Sequence, residues 1–295
     1  MAGAVSISAQ QGANPCTIRT MHRDEIPVAI EWAAREGWNP GLHDAACFHA
    51  ADPEGFLIAE SGAQPLGCIS AVSYAGRFGF IGLFIVAPAW RRQGVGARLW
   101  ARAMARLAGH VIGLDGVPAQ QDYYSRSGFK LAWRNIRFAG VVARSGQPAA
   151  HPQIMPLGTL DFEALCADDS RVFPAPREAF LRCWFAMPES TGLAWLEKGH
   201  LAGWGVIRRC REGHKIGPLV ADRPPVASAL YDALCSTVPA GDAVYIDVPI
   251  RNPSAIALAK AQKLRSVFET ARMYAGRAPA VELGRVYGIT TFELG

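Results

Sequence analysis

The chain has 295 residues, 50% of them apolar and 19% charged, with a formal net charge of +5. That length suits one large or two medium domains, each able to bury its own core. No segment approaches the roughly 18 continuous apolar residues of a membrane span, and the charge is spread without a dense basic block, which argues against membrane and against nucleic acid as partners. The cysteines at 16, 47, 68, 166, 183, 210 and 235 form no Cys-x-x-Cys spacing and have no histidine at zinc-finger distance. Neither a disulfide framework nor a metal site is therefore expected, and a reducing cytoplasm is the expected compartment.

Residues 1–15 are small and polar, without the basic start and apolar centre of a secretory signal, and are expected to be a disordered tail. Cys16 to Met21 reads as a strand and Asp24 to Glu36 as a helix with an acidic first turn. An irregular stretch follows. In it Trp38 and Asn39 stand beside Pro40-Gly41, a rigid, aromatic and polar composition suited to lining a pocket or to a turn with a packed indole, and His43 and Asp44 are loop candidates for a polar role. Phe56 to Ser61 and Pro65 to Tyr74 form an antiparallel hairpin, and Phe78 to Val86 continues the meander.

The last of these strands is apolar without alternation, as suits a strand covered on both faces. Pro88 stops it, and Arg91-Arg92-Gln93-Gly94-Val95-Gly96 leads into a helix over Ala97 to Leu107. Gly94 and Gly96 lack a Cβ, so backbone N–H groups at a helix N-terminus can approach an anion such as pyrophosphate; a tight strand-to-helix turn would use the same glycines. Along the helix Val95, Leu99, Ala103 and Leu107 form one apolar column beside Gly96, Trp100, Met104 and Ala108, while Arg98, Arg102 and Arg106 mark a solvent-facing edge. Val111 to Asp115 is a short strand; Asp115 at its end is either a functional carboxylate or a turn residue before Gly116. Gln120 to Ser127 is a short helix closed by Gly128, and Phe129 to Val142 one or two strands.

The composition then shifts to Ser, Gly, Pro, Gln and Ala, which marks residues 144–158 as a linker between a domain over 16–143 and another over 159–295. The second half reads like the first repeated. Lys215 to Ala221 parallels Phe80 to Val86, Val226 to Cys235 parallels the helix after Gly94, and Thr270-Ala-Arg-Met-Tyr-Ala-Gly276 parallels Asn135-Ile-Arg-Phe-Ala-Gly140. At the same offset Arg91, Gly94 and Gly96 fall on Val226, Ala229 and Tyr231, so the second half should not hold a pyrophosphate.

These features resemble the GNAT superfamily of acyl-CoA-dependent N-acyltransferases. Arg91 to Gly96 matches its signature Arg/Gln-x-x-Gly-x-Gly/Ala between a central strand and a helix, and Tyr124-Ser-Arg-Ser-Gly128-Phe129 matches its Tyr-x-x-x-Gly-Phe element. The resemblance implies an α/β fold with a mixed sheet, two GNAT-like domains in tandem, the second degenerate. It implies acetyl-CoA as co-substrate, the backbone of Phe84, Ile85 and Val86 pairing with the pantetheine arm, and the amides of Arg91, Arg92, Gln93, Gly94, Val95 and Gly96 holding the pyrophosphate. Tyr124 takes the place of the general acid for the leaving thiolate, and Tyr123 is expected to be the core residue. The strand carries no base, since Phe80 stands where many relatives have Glu; Asp115, His43, Asp44 or a water chain are the alternatives. Trp38, Asn39, Asp44 and Asp115 are the expected acceptor pocket. Trp184, Trp195 and Trp204 either close over it or fill a core, and Asp247 and Asn252 are weaker candidates. The implied reaction is direct transfer to a primary amine of a small molecule by a monomer or homodimer. A protein lysine as acceptor, or a non-catalytic acyl-CoA sensor, is the alternative.

Overall fold

The computed structural model describes residues 16–143 and 151–295. The expected tail and residues 144–150 of the expected linker lie outside the described residues. The first half runs β1 (Thr17–Thr20), α1 (Ile26–Arg35), α2 (Asp44–Ala51), β2 (Phe56–Ser61), β3 (Gln64–Tyr74), β4 (Phe78–Val86), α3 (Val95–Arg106), β5 (Val111–Gly116), α4 (Gln121–Arg126) and β6 (Phe129–Val141). The second runs β7 (Ile154–Pro156), α5 (Phe162–Val172), α6 (Glu178–Phe185), β8 (Ser190–Glu197), β9 (His200–Arg209), β10 (His214–Ala221), α7 (Pro224–Ser236), β11 (Ala243–Pro249), α8 (Pro253–Ala261), β12 (Arg265–Ala275) and β13 (Val286–Gly288).

Apolar side chains decide which face of the sheet each helix covers. In β2, Phe56 and Ile58 join the core beneath α1 and α2, whereas Leu57 and Ala59 join the core beneath α3, as the period of two requires. Two elements depart from the expected reading. The stretch after Trp38 contains α2, whose Cys47 and Phe48 are buried, and β7 lies inside the expected linker. α3 begins two residues early because Gly94, at φ +83°, serves as its N-cap. Of the three arginines expected to face solvent, Arg98 and Arg102 do, but Arg106 is held by Asp52 at 2.8 Å.

All the strands belong to one sheet, in the order β1-β2-β3-β4-β5-β12-β6-β11-β10-β9-β8-β7, with β13 added on β10. The two halves are therefore not side-by-side units joined by a linker. β12, from the second half, lies between β5 and β6, and β6, from the first, lies between β12 and β11. The register places Arg272 opposite Asp115 and Arg137 opposite Asp247. Each pair closes as a two-pronged guanidinium–carboxylate fork, at 2.9 and 2.5 Å for Arg272 and at 2.7 and 2.8 Å for Arg137. Parallel N–H···O bonds of this kind fix orientation as well as adding energy.

A third buried ion pair joins the halves at the loop after α1. The Asp44 carboxylate accepts from Arg208 at 2.9 Å and from the Gly41 amide at 2.8 Å, and both charged side chains are fully buried. Removing one partner of such a pair strands the other charge out of water. Asp44→Ala is expected to cost about 3–5 kcal/mol, read as a lower urea midpoint, with much of the loss recovered in an Asp44→Leu/Arg208→Met double variant.

Candidate active site

β4 and β5 pair in parallel from Phe78 and Val111 as far as Ile81 and Leu114, and then separate. The separation begins at a bulge. The register between β3 and β4 shifts opposite Ile69, and Leu83 adopts φ +47°, and an inserted residue of this kind bends its strand. Beyond it Ile85 and Val86 stay paired to β3, while the other edge of β4 faces a cavity of about 490 Å³ instead of β5. The open edge offers backbone donors and acceptors to an amide-bearing arm.

At the outer end of this edge, the first-turn amides of α3 have no partner within the helix, as at any helix start, and the helix dipole adds partial positive charge. A Cβ on Gly96 would meet Phe84 and Val86 at an ordinary 3.4 Å, so the protein's own packing does not demand glycine there. Arg91 donates from Nε to the Val86 carbonyl at 2.9 Å and from Nη2 to Glu36 at 2.5 Å, tying the end of β4 to the end of α1. Arg92 and Gln93 are exposed. An extended thioester carrier with a pyrophosphate fits this donor set, its anionic end on α3 and its arm along Phe84, Ile85 and Val86.

Tyr124 borders the inner part of the cavity from α4. Its ring packs 5.6 Å from Trp100 and lies over Gly116, where a Cβ would overlap it. Among the described residues the hydroxyl has no hydrogen-bond partner, and burial, aided by Tyr123, pushes its pKa up to about 12, so it carries its proton at neutral pH. The expected roles of the two tyrosines as core and site residues do not divide by burial. Tyr123 is half-buried against Phe84 and Trp100, and Tyr124 is the more buried of the two.

The other expected pocket residues separate. Trp38 lines the cavity, and its carbonyl accepts from Arg137 at 2.6 Å. Asp115 also lines it, but as the Arg272 fork with a further bond from Asn135 at 2.8 Å, not as a free turn residue. Burial opposes the charge on Arg272, and Asp115 more than offsets that, holding the guanidinium above its ordinary range. Asn39 lies outside the cavity, its side chain exchanging two 2.9 Å bonds with the Glu212 backbone. Asp44 is also outside, committed to Arg208, and His43 pairs with Glu189 at 2.9 Å on the surface. Phe80 is buried beneath Arg272, 5.0 Å from its guanidinium. Trp184, Trp195 and Trp204 are core, Asp247 belongs to the second fork, and Asn252 caps α8.

Sequence reasoning missed the wall contributed by the second half: Phe268 and Thr270 from β12, and Phe292 and Glu293 from the segment after β13. That segment crosses β4 at Gly82, where a Cβ would overlap the Glu293 carbonyl oxygen. It is anchored by Tyr74, whose hydroxyl donates to the Leu294 carbonyl at 3.1 Å, and by Arg177, which donates to the Thr290 hydroxyl at 3.0 Å. Phe292 lies 4.8 Å beneath the Arg137 guanidinium. The one signal available was the match of Arg137 with Arg272 in the repeated segments.

In the second half β10 and β11 likewise pair only as far as Ile216 and Ile246. There the gap is taken by β13, which pairs with Leu219 and Val220 of β10, and by Ile289, whose amide donates to the Asp247 carbonyl at 2.9 Å. α7 opens on Pro224-Pro225, which removes two donors from its first turn. The counterpart slot is filled by the chain itself.

A bulged central strand splayed from its parallel neighbour and followed by a helix, glycine-capped in the first half and repeated without the glycine in the second, defines a tandem acyltransferase fold. The model for the acetyltransferase (GNAT) family matches residues 21–129, and that for an acetyltransferase (GNAT) domain matches residues 165–288. The chain belongs to the GNAT superfamily. It is 29% identical over 272 residues to holothin acyltransferase of Pseudoalteromonas sp. (strain SANK 73390), covering 92% of each chain. A solved Pyrococcus horikoshii structure assigned to the acetyltransferases superposes with a TM-score of 0.79 at 21% identity over 99% of both chains. A tandem GNAT protein from the clavulanic acid biosynthesis pathway does so with a TM-score of 0.63 at 14% identity, over 90% of this chain and 100% of that one.

The glycines give a direct check on this geometry. Gly82→Ala, which would drive a methyl into the Glu293 backbone, is expected to destabilise by about 1–3 kcal/mol in urea unfolding, whereas Gly96→Ala is expected to be neutral or slightly stabilising.

Proposed function

We propose that the protein is an acetyl-CoA-dependent N-acetyltransferase acting on a primary amine of a small molecule. The observation that carries this reading is the convergence, on one cavity, of the open edge of β4, Arg91 from the turn that leads into α3, and the protonated phenol of Tyr124. The first two bind and align a thioester carrier, so that its carbonyl arrives near the bulge at Leu83. The amine nitrogen attacks that carbon, the C–S bond breaks, and Tyr124 gives its proton to the departing sulfur. Burial favours the neutral phenol until the thiolate forms beside it.

The acceptor end of the cavity supports a compact and largely apolar amine, since Trp38, Phe268 and Phe292 supply its aromatic surface and the whole cavity has a volume of about 490 Å³. That is within the range of small-molecule sites and leaves little room for a folded protein's lysine loop. The Pseudoalteromonas relative, named for the acceptor holothin, accords with a discrete acceptor compound. The reaction needs acyl-CoA, which accords with a cytoplasmic location; separately, among the described residues no helix is long and apolar enough to cross a membrane.

Acetyl-CoA at about 100 times its Kd should raise the melting temperature by several degrees, corresponding to about 2.7 kcal/mol. Free-thiol release with benzylamine, tryptamine, spermidine and a lysine peptide then separates an enzyme from a sensor, and a small acceptor from a protein one. Tyr124→Phe is expected to lower kcat about 100-fold while leaving acetyl-CoA affinity within about twofold. An equal loss of binding would remove the general-acid role.

A further inference from the structure

Resting on that reading of the site, we infer that Glu293, delivered by the segment after β13, is the general base that takes the proton from the acceptor amine. Among the described residues three acidic ones line the cavity: Glu36, Asp115 and Glu293. Glu36 is paired with Arg91, and Asp115 is held at both oxygens by Arg272. Glu293 is only 3% exposed, yet among the described residues its carboxylate has no hydrogen-bond or ion-pair partner. A buried carboxylate without a partner costs free energy, and a site that retains one at a cavity wall has lone pairs left for a ligand.

Position agrees with chemistry. A carrier whose anionic end sits on α3 and whose arm follows Val86, Ile85 and Phe84 brings its carbonyl to Leu83 and Gly82. The Glu293 backbone abuts Gly82, and Tyr124 lies over Gly116 on the opposite strand. Base and acid thus flank the inner end of the slot from its two walls. In the step itself the N–C bond forms and the C–S bond breaks. Glu293 receives the proton lost by nitrogen, Tyr124 protonates sulfur, and exchange with solvent returns both groups to their starting states. The products are the N-acetyl amine and the free thiol.

The surroundings suit a base that works near neutrality. Glu293 faces Lys215 on β10, Asp44 on α2, Arg137 on β6 and Arg208 on β9. Asp44 is neutralised by Arg208, and Arg137 by Asp247 of β11, while Lys215 donates to the Asn39 carbonyl at 2.8 Å. Burial is the dominant influence and raises the Glu293 carboxyl above the ordinary glutamate range, against the pull of Lys215. A raised pKa gives a stronger base once the proton has left, so activity should rise with pH through that value.

The test uses the full chain with acetyl-CoA and whichever amine of the panel turns over fastest. Wild type should show an acid limb with an apparent pKa above the unperturbed glutamate value of about 4.3. Glu293→Gln should lose about 100-fold or more in kcat, keep its acetyl-CoA affinity within about threefold, and lack that limb. Glu293→Asp, which shortens the reach but keeps the carboxylate, should retain part of the rate and the limb, and decides the matter if the Gln variant does not fold. Glu293→Gln with kcat within about threefold of wild type, or with the limb intact, overturns the base role and leaves the transferase reading standing. Absence of thiol release by wild type with every amine overturns both.

Discussion

Two reciprocal forks, Arg272 to Asp115 and Arg137 to Asp247, are the interactions on which this architecture turns. Each joins a strand of one half to a strand exchanged from the other, and in each the partners face one another across an antiparallel ladder. All four side chains are almost completely shielded from water. A desolvated ion pair contributes little net stability against an apolar replacement, but a misaligned one is strongly penalised. The forks therefore act mainly on register. A slip of one residue would point each arginine at the opposite face and strand both charges.

The exchange has a direct bearing on chemistry. With β12 beside β5, the wall facing the bulge of β4 is made by Phe268 and Thr270, and Arg137 packs over the ring of Phe292. On the proposed function, the cofactor-binding surface comes from the first half alone, and much of the acceptor-binding surface from the second. Affinity for the carrier and selectivity for the amine are thus carried by different stretches of one chain, which meet only because the sheet is continuous. The same division suits a reaction in which two substrates must be held together but recognised by unlike means, one by backbone and helix dipole, the other by aromatic surface.

Much of this was legible in the sequence where local patterns carry the information. The unalternating run from Phe78 to Val86, the glycines at 94 and 96 and the Tyr-x-x-x-Gly-Phe element each report a backbone need satisfied within a few residues, and the strand, helix start and Tyr124 lie where those patterns put them. The repeat was visible too, down to the matching of Arg137 with Arg272. What could not be read was the pairing of those arginines across halves, because a fork records no spacing along the chain. Asp44 and Asn39 looked available for the same reason: their partners, Arg208 and Glu212, are remote in sequence. Glu293 sits in a stretch with no helical or strand period of its own and gains its place only by crossing Gly82.

The segment that begins with β13 does two things at once. It plugs the gap beside β10 where the second half would otherwise be open, and a few residues later it lays Phe292 and Glu293 against the gap that remains beside β4. The second half is consequently not free to drift. A change that loosened β13 from β10, far from any bound thioester, would be felt as a displaced wall in the working half. The half whose slot is filled by the chain itself thus shares one continuous segment with the wall of the half whose slot stays open.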